Sequence, residues 1–146
     1  MACDVILASE EARFADIHAR VGVLPGWGLS QRLPRLVGPG RAKELSLTGN
    51  FLDARRAEAW GLVNRVLPAG ELLPAARALA RDMLSALPDM LPTMKRLIDD
   101  GYALPFAEAM ALERERSRAH RARVTGEAVA GHVDAVVARG KAQARG

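Results

Sequence analysis

His18 is the residue best suited to proton transfer in this chain. An imidazole exchanges protons near neutral pH, its unperturbed pKa being about 6.5. Asp16 stands two residues earlier and can orient the ring, provided the backbone there is extended or turned, because an i, i+2 pair does not share a helix face. A second group is Leu24-Pro25-Gly26-Trp27-Gly28, where two glycines flank one large aromatic residue and let backbone approach another molecule closely. Trp27 reads either as an apolar wall or as a core anchor. Cys3 is the single cysteine, so no intrachain disulfide or cysteine zinc cluster forms within the chain. With no cation or base beside it, Cys3 reads as an inert buried thiol. A metal site is not expected.

The chain has 146 residues, 49% of them hydrophobic and 26% charged. That suits a packed core and is too apolar for a disordered chain. No apolar run approaches the roughly 20 residues of a membrane span. The start, Met1-Ala2-Cys3-Asp4, puts an acid where a signal peptide wants a base. We therefore expect a soluble, cytoplasmic protein with no membrane partner. The net charge of +4 resides in the tail, in Arg114, Arg116, Arg118, Arg121, Arg123, Arg139, Lys141 and Arg145. These residues read as a solvated helix face or as a surface for an acidic partner. No aromatic residue is interleaved with them, which argues against a base-stacking platform and so against a nucleic-acid partner.

Strands and helices must position these groups. Cys3 to Ser9 and Leu62 to Leu67 read as strands, with Ala12-Arg13-Phe14 a third extended piece. Ser30 reads as the cap of a short helix through Leu33. Pro39 opens the next helix and Gly49 closes it. Asp53 caps a helix that stops at Gly61. Glu71 to Ala86 is amphipathic. After Pro88 the pattern is helical throughout: a helix with Met90, Met94, Leu97 and Ile98; a long one opened by Pro105; and a last one capped by Thr125, with Val129, Val133, Val136 and Val137 expected inside. Gly140 to Gly146 are expected to fray. Two or three short strands do not make a stable sheet. We expect this chain to be part of a larger sheet whose other strands lie N-terminal to it or in a partner, with apolar surface exposed at the first strand.

Several blocks of the sequence resemble the crotonase superfamily, the enoyl-CoA hydratase/isomerase family. They are Ala2 to Ser9, Ala12-Arg13-Phe14, Val21 to Arg35, Leu47-Thr48-Gly49, Asp53 to Ala57 and Trp60 to Val66, in the family's order and spacing. The resemblance implies an α/β crotonase-like fold, a spiral of strand-strand-helix turns followed by a helical trimerisation region. Residues 1–68 would form the C-terminal part of the core and residues 69–146 the helical region. It also implies that a segment before Met1 carries the two backbone N–H donors of the oxyanion hole and one catalytic glutamate, so that this chain is a truncated form, inactive alone.

The family stabilises an enolate of an acyl-CoA thioester, each oxyanion donor contributing roughly 3–4 kcal/mol. Coenzyme A belongs to the substrate, and no separate cofactor is implied. By counting from Phe14 and back from Gly22, His18 occupies the position of the hydratases' second glutamate. It is read as the catalytic residue here, or else as a pocket residue without a chemical part. The departure counts against two-glutamate hydration and leaves double-bond isomerisation or thioester hydrolysis open. Leu24, Pro25, Gly26 and Trp27 match the loop beside the reacting acyl carbons and are the expected substrate-binding residues. Asp4 and Arg32 match positions with structural roles. His132 and Lys141 are candidates for the CoA phosphates, and His120 is expected at the surface. A homo-oligomer, trimer or hexamer, is implied. The alternative function is a non-catalytic remnant or oligomerisation subunit of the fold.

Overall fold

A computed structural model describes residues 2–143 of the protein. The chain forms two compact units, Met1–Met83 and Leu84–Gly146. Arg145 of the basic tail, like Met1, lies outside the described residues.

The first unit runs β1 (Leu7–Ser9), β2 (Arg13–Phe14), α1 (His18–Val21), α2 (Leu29–Val37), α3 (Pro39–Thr48), β3 (Leu52–Asp53), α4 (Ala54–Ala59), β4 (Arg65–Leu67) and α5 (Ala69–Leu84). Its strands form two separate pairs. β1 and β4 are parallel, with Ala8 opposite Val66, and β2 and β3 are antiparallel, with Phe14 opposite Leu52. The core is small: Leu33, Val37, Ala42, Leu45, Leu52, Ala54, Ala57, Leu62, Val63 and Val66 close around Ala8. Leu33 and Leu52 are its most completely buried large side chains.

Local signals explain several boundaries. Pro39 stands at the first position of α3, and Gly49 ends it in the left-handed conformation with its N–H on the Leu45 carbonyl. Asp53 caps α4, its Oδ1 accepting from the Arg56 backbone N–H at 2.8 Å.

Elsewhere packing overrules the local signal. The short helix expected to be capped by Ser30 and to end at Leu33 is capped instead by Gly28 and continues through Pro34 to Val37. Leu33 and Val37, one turn apart, are both buried, and that burial outweighs the hydrogen bond Pro34 cannot make. The strand expected from Leu62 starts only at Arg65, because the Leu62 and Val63 N–H groups both turn back to the Ala57 carbonyl at the end of α4. The strand expected from Cys3 begins at Leu7. Cys3 is exposed, not buried, since the residues ahead of β1 join no sheet.

The second unit holds α6 (Met90–Tyr102), α7 (Phe106–Arg121) and α8 (Gly126–Gln143). α6 and α7 pack on each other, with Arg116 Nη2 of α7 2.7 Å from Asp100 Oδ2 of α6. The four valines expected inside α8 are about half exposed, lining an open apolar cleft with Leu87 and Met90 where no described element covers them. Gly140 to Gln143 continue α8 where fraying was expected, and residues 144–146 lie outside the description. Among the described residues no helix is long and apolar enough to cross a membrane.

Candidate functional site

The site is built where β2 gives way to α1. Asp16 is 5% exposed, the only buried charged residue of the described core. Its Oδ1 lies 2.6 Å from His18 Nδ1 and accepts from the His18 backbone N–H at 3.2 Å. The chain turns at Ile17, and that turn is what lets an i, i+2 pair meet. A carboxylate only accepts, so the shared proton belongs to His18 Nδ1; in the neutral ring Nε2 is then the bare nitrogen, and in the imidazolium both nitrogens carry protons. Burial pushes the Asp16 carboxyl up. Hydrogen bonds from Ser46 of α3 and from the His18 ring and backbone, with the charge of His18, outweigh it and hold the carboxyl below its ordinary value.

His18 is partly exposed and lines an open cleft of about 530 Å³ together with Ala2, Val23, Leu24, Pro25, Gly26, Trp27, Leu29 and Arg32. The structure thus brings all five expected site residues, His18, Leu24, Pro25, Gly26 and Trp27, to one cavity. Leu24 is 92% and Trp27 98% exposed. Trp27 is therefore no core anchor, and the two form an apolar wall open to solvent. Gly28, at φ 85, turns the chain from this loop into α2; a Cβ there would meet Arg32 Nε at 3.2 Å. Among these lining residues His18 brings an imidazole and Arg32 a guanidinium, which stays charged.

His132 and His120 line the separate α8 cleft of the second unit, and Lys141 stands in the last turn of α8. No group of three or more metal-ligating side chains gathers among the described residues. Ser46 and Arg20 are site residues that sequence reasoning missed. Each acts on a partner more than 25 positions away, Ser46 on Asp16 and Arg20 on Thr48, and no local pattern announces such a pairing.

The family model for enoyl-CoA hydratase/isomerase matches residues 1–132. The chain belongs to the enoyl-CoA hydratase/isomerase family. A probable peroxisomal enoyl-CoA hydratase of Arabidopsis thaliana is 42% identical over 127 residues, which are 87% of this chain and 48% of that protein. A crotonyl-CoA hydratase of Syntrophomonas wolfei is 38% identical over 77% of this chain and 44% of its own length. The chain thus spans about half the length of the curated relatives it matches. Among solved structures, Pseudomonas aeruginosa DspI superposes with a TM-score of 0.78 at 34% identity, covering 94% of this chain and 52% of that one. An enoyl-CoA hydratase from Bacillus anthracis gives 0.77 at 34%, over 80% and 45%. This enoyl-CoA hydratase/isomerase family member has the α/β crotonase-like fold that the sequence blocks implied, with a mostly helical chain and two small sheets.

Proposed function

We propose that the cleft between α1 and the 23–29 loop receives the acyl part of an acyl-CoA thioester, and that His18 carries the proton in its reaction. The observation that carries this reading is the Asp16–His18 pair opening onto an apolar wall. Leu24 and Trp27 offer surface for an acyl chain, and exposed apolar patches beside a polar group mark ligand grooves. His18 Nε2 takes a proton from, or returns one to, a carbon of the enoyl or enolate system. The Asp16 carboxylate holds the ring in place and stabilises the imidazolium while it lasts, as the aspartate of a catalytic triad does. Relatives named as crotonyl-CoA and short-chain-enoyl-CoA hydratases support an acyl-CoA substrate and a place in fatty-acid metabolism. A homo-oligomer and a cytoplasmic location belong to the same proposal.

Titration of the 146-residue chain with crotonyl-CoA tests it. Tryptophan fluorescence should change saturably, and Trp27→Ala should weaken binding by roughly tenfold, the equivalent of about 1.4 kcal/mol. In any preparation that turns over crotonyl-CoA, His18→Gln should lower kcat by about 10²–10⁴ with binding retained. Binding without turnover, unaffected by His18→Gln, would favour the non-catalytic reading. No saturable binding, or binding indifferent to Trp27→Ala, would overturn the proposal.

A further inference from the structure

α1, which carries His18, is four residues long. A single turn of helix does not hold itself in water, so its place comes from tertiary ties. Those ties converge on the C-terminal end of α3. Arg20 stands two residues after His18. Its Nε donates to the Thr48 carbonyl, and its Nη2 reaches Asn50 Oδ1 at 3.4 Å. Thr48 is the last residue of α3, whose final carbonyls have no partner within the helix. A guanidinium there also meets the negative end of the helix dipole.

The seat is shaped for this side chain. Gly49 lies at φ 60, and a Cβ on it would stand 2.8 Å from both Cδ and Nε of Arg20. A side chain at position 49 would push Arg20 off the end of α3. Asn50 is itself fixed, its backbone N–H donating to Thr48 Oγ1 at 3.2 Å. At the other end of the segment, Ser46 of the same helix helps hold the Asp16 carboxyl below its ordinary value. The end of α3 therefore holds this segment through Arg20, two residues past His18.

We infer that Arg20 is a positioning residue for His18: by tying α1 to the C-terminus of α3, it keeps the imidazole Nδ1 on Asp16 and so leaves Nε2 bare at the cleft. This rests on the reading of His18 as the proton carrier. Arg20 does not line the cleft and acts only through the ring it positions.

Imidazole ¹⁵N–¹H NMR of the full chain, without substrate, tests it; His18→Gln identifies the His18 signals among the three histidines. The unaltered protein should show the Nδ1–H tautomer at His18. Arg20→Met should lower the ratio of Nδ1–H to Nε2–H tautomer by roughly tenfold, the scale of one charge-assisted hydrogen bond. Arg20→Lys, which keeps one donor for the Thr48 carbonyl, should recover part of it, and Ser46→Ala should shift it in the same direction as Arg20→Met. An unchanged tautomer in an Arg20→Met protein with a native far-UV spectrum would overturn the inference. Should that variant not fold, an unchanged tautomer in both Arg20→Lys and Ser46→Ala would do so. The measurement needs no ligand, so failure of crotonyl-CoA to bind would count against the proposed function alone.

Discussion

Asn64 and Ile6 exchange two hydrogen bonds. The Asn64 N–H donates to the Ile6 carbonyl at 2.7 Å, and the Ile6 N–H donates to Asn64 Oδ1 at 2.8 Å. The pair sits one step ahead of the β1–β4 register, where Leu7 faces Arg65. The asparagine side chain thus extends a three-residue parallel ladder by one more rung and satisfies a strand-end N–H that would otherwise lack a partner.

Replacing that side chain should therefore loosen the short parallel pair. Asn64→Leu should cost about 1 kcal/mol, the net worth of one ordinary hydrogen bond, and lower the midpoint of thermal unfolding followed by circular dichroism. Asn64→Asp keeps an acceptor oxygen in place and should recover most of the loss. Equal melting of all three proteins would show that the side-chain rung contributes nothing.

The buried Asp16 makes a pH prediction. Its carboxyl is held below the ordinary aspartate value of 3.8 by Ser46 and His18, against the opposing pull of burial. The folded value lies below the unfolded one. The resulting stability is therefore complete above 3.8 and is lost as pH falls through the folded value. Urea unfolding of the unaltered chain and of Asp16→Asn, from neutral pH down to about pH 3, should show a stability gap that narrows only on the acid side of the ordinary aspartate range. A gap that stays constant, or widens with acid, would contradict this assignment.

Val5 and Leu7 at the start of the first unit, with Leu72, Leu73, Leu79 and Met83 of α5, line an open apolar groove of about 540 Å³. Leu73 is more than half exposed, so the groove reaches solvent. Val5 and Leu7 are themselves half-buried, so the exposed apolar surface here is carried by Leu73 of α5 and not by the first strand. An apolar dye should fluoresce on binding the chain at neutral pH. Leu73→Glu should dim it while changing stability by no more than about 0.5 kcal/mol, as expected for an exposed position. Dye fluorescence indifferent to Leu73→Glu would place the exposed apolar surface elsewhere.

Much of the fold is written in short-range chemistry. Pro39 and Gly49 bound α3, and Asp53 caps α4, because each acts on backbone groups within a few residues of itself. The blocks from Ala2 to Val66 carried the family resemblance and, through it, placed His18 beside Leu24, Pro25, Gly26 and Trp27, which the structure brings to one cleft. What sequence could not contain is pairing at a distance. Asp16 reads as a possible partner of His18, but its burial shows only in the folded chain; Arg20 carries no local signal until the end of α3 arrives beneath it. Helix α2 runs through Pro34 because Leu33 and Val37 find a core, and the valines of α8 remain open because no described element covers them. The residues alone determined which groups can carry protons and where α3 and α4 begin. Only the folded chain decided which of those groups are buried, bonded and aimed, because burial and partnership depend on neighbours tens of residues away.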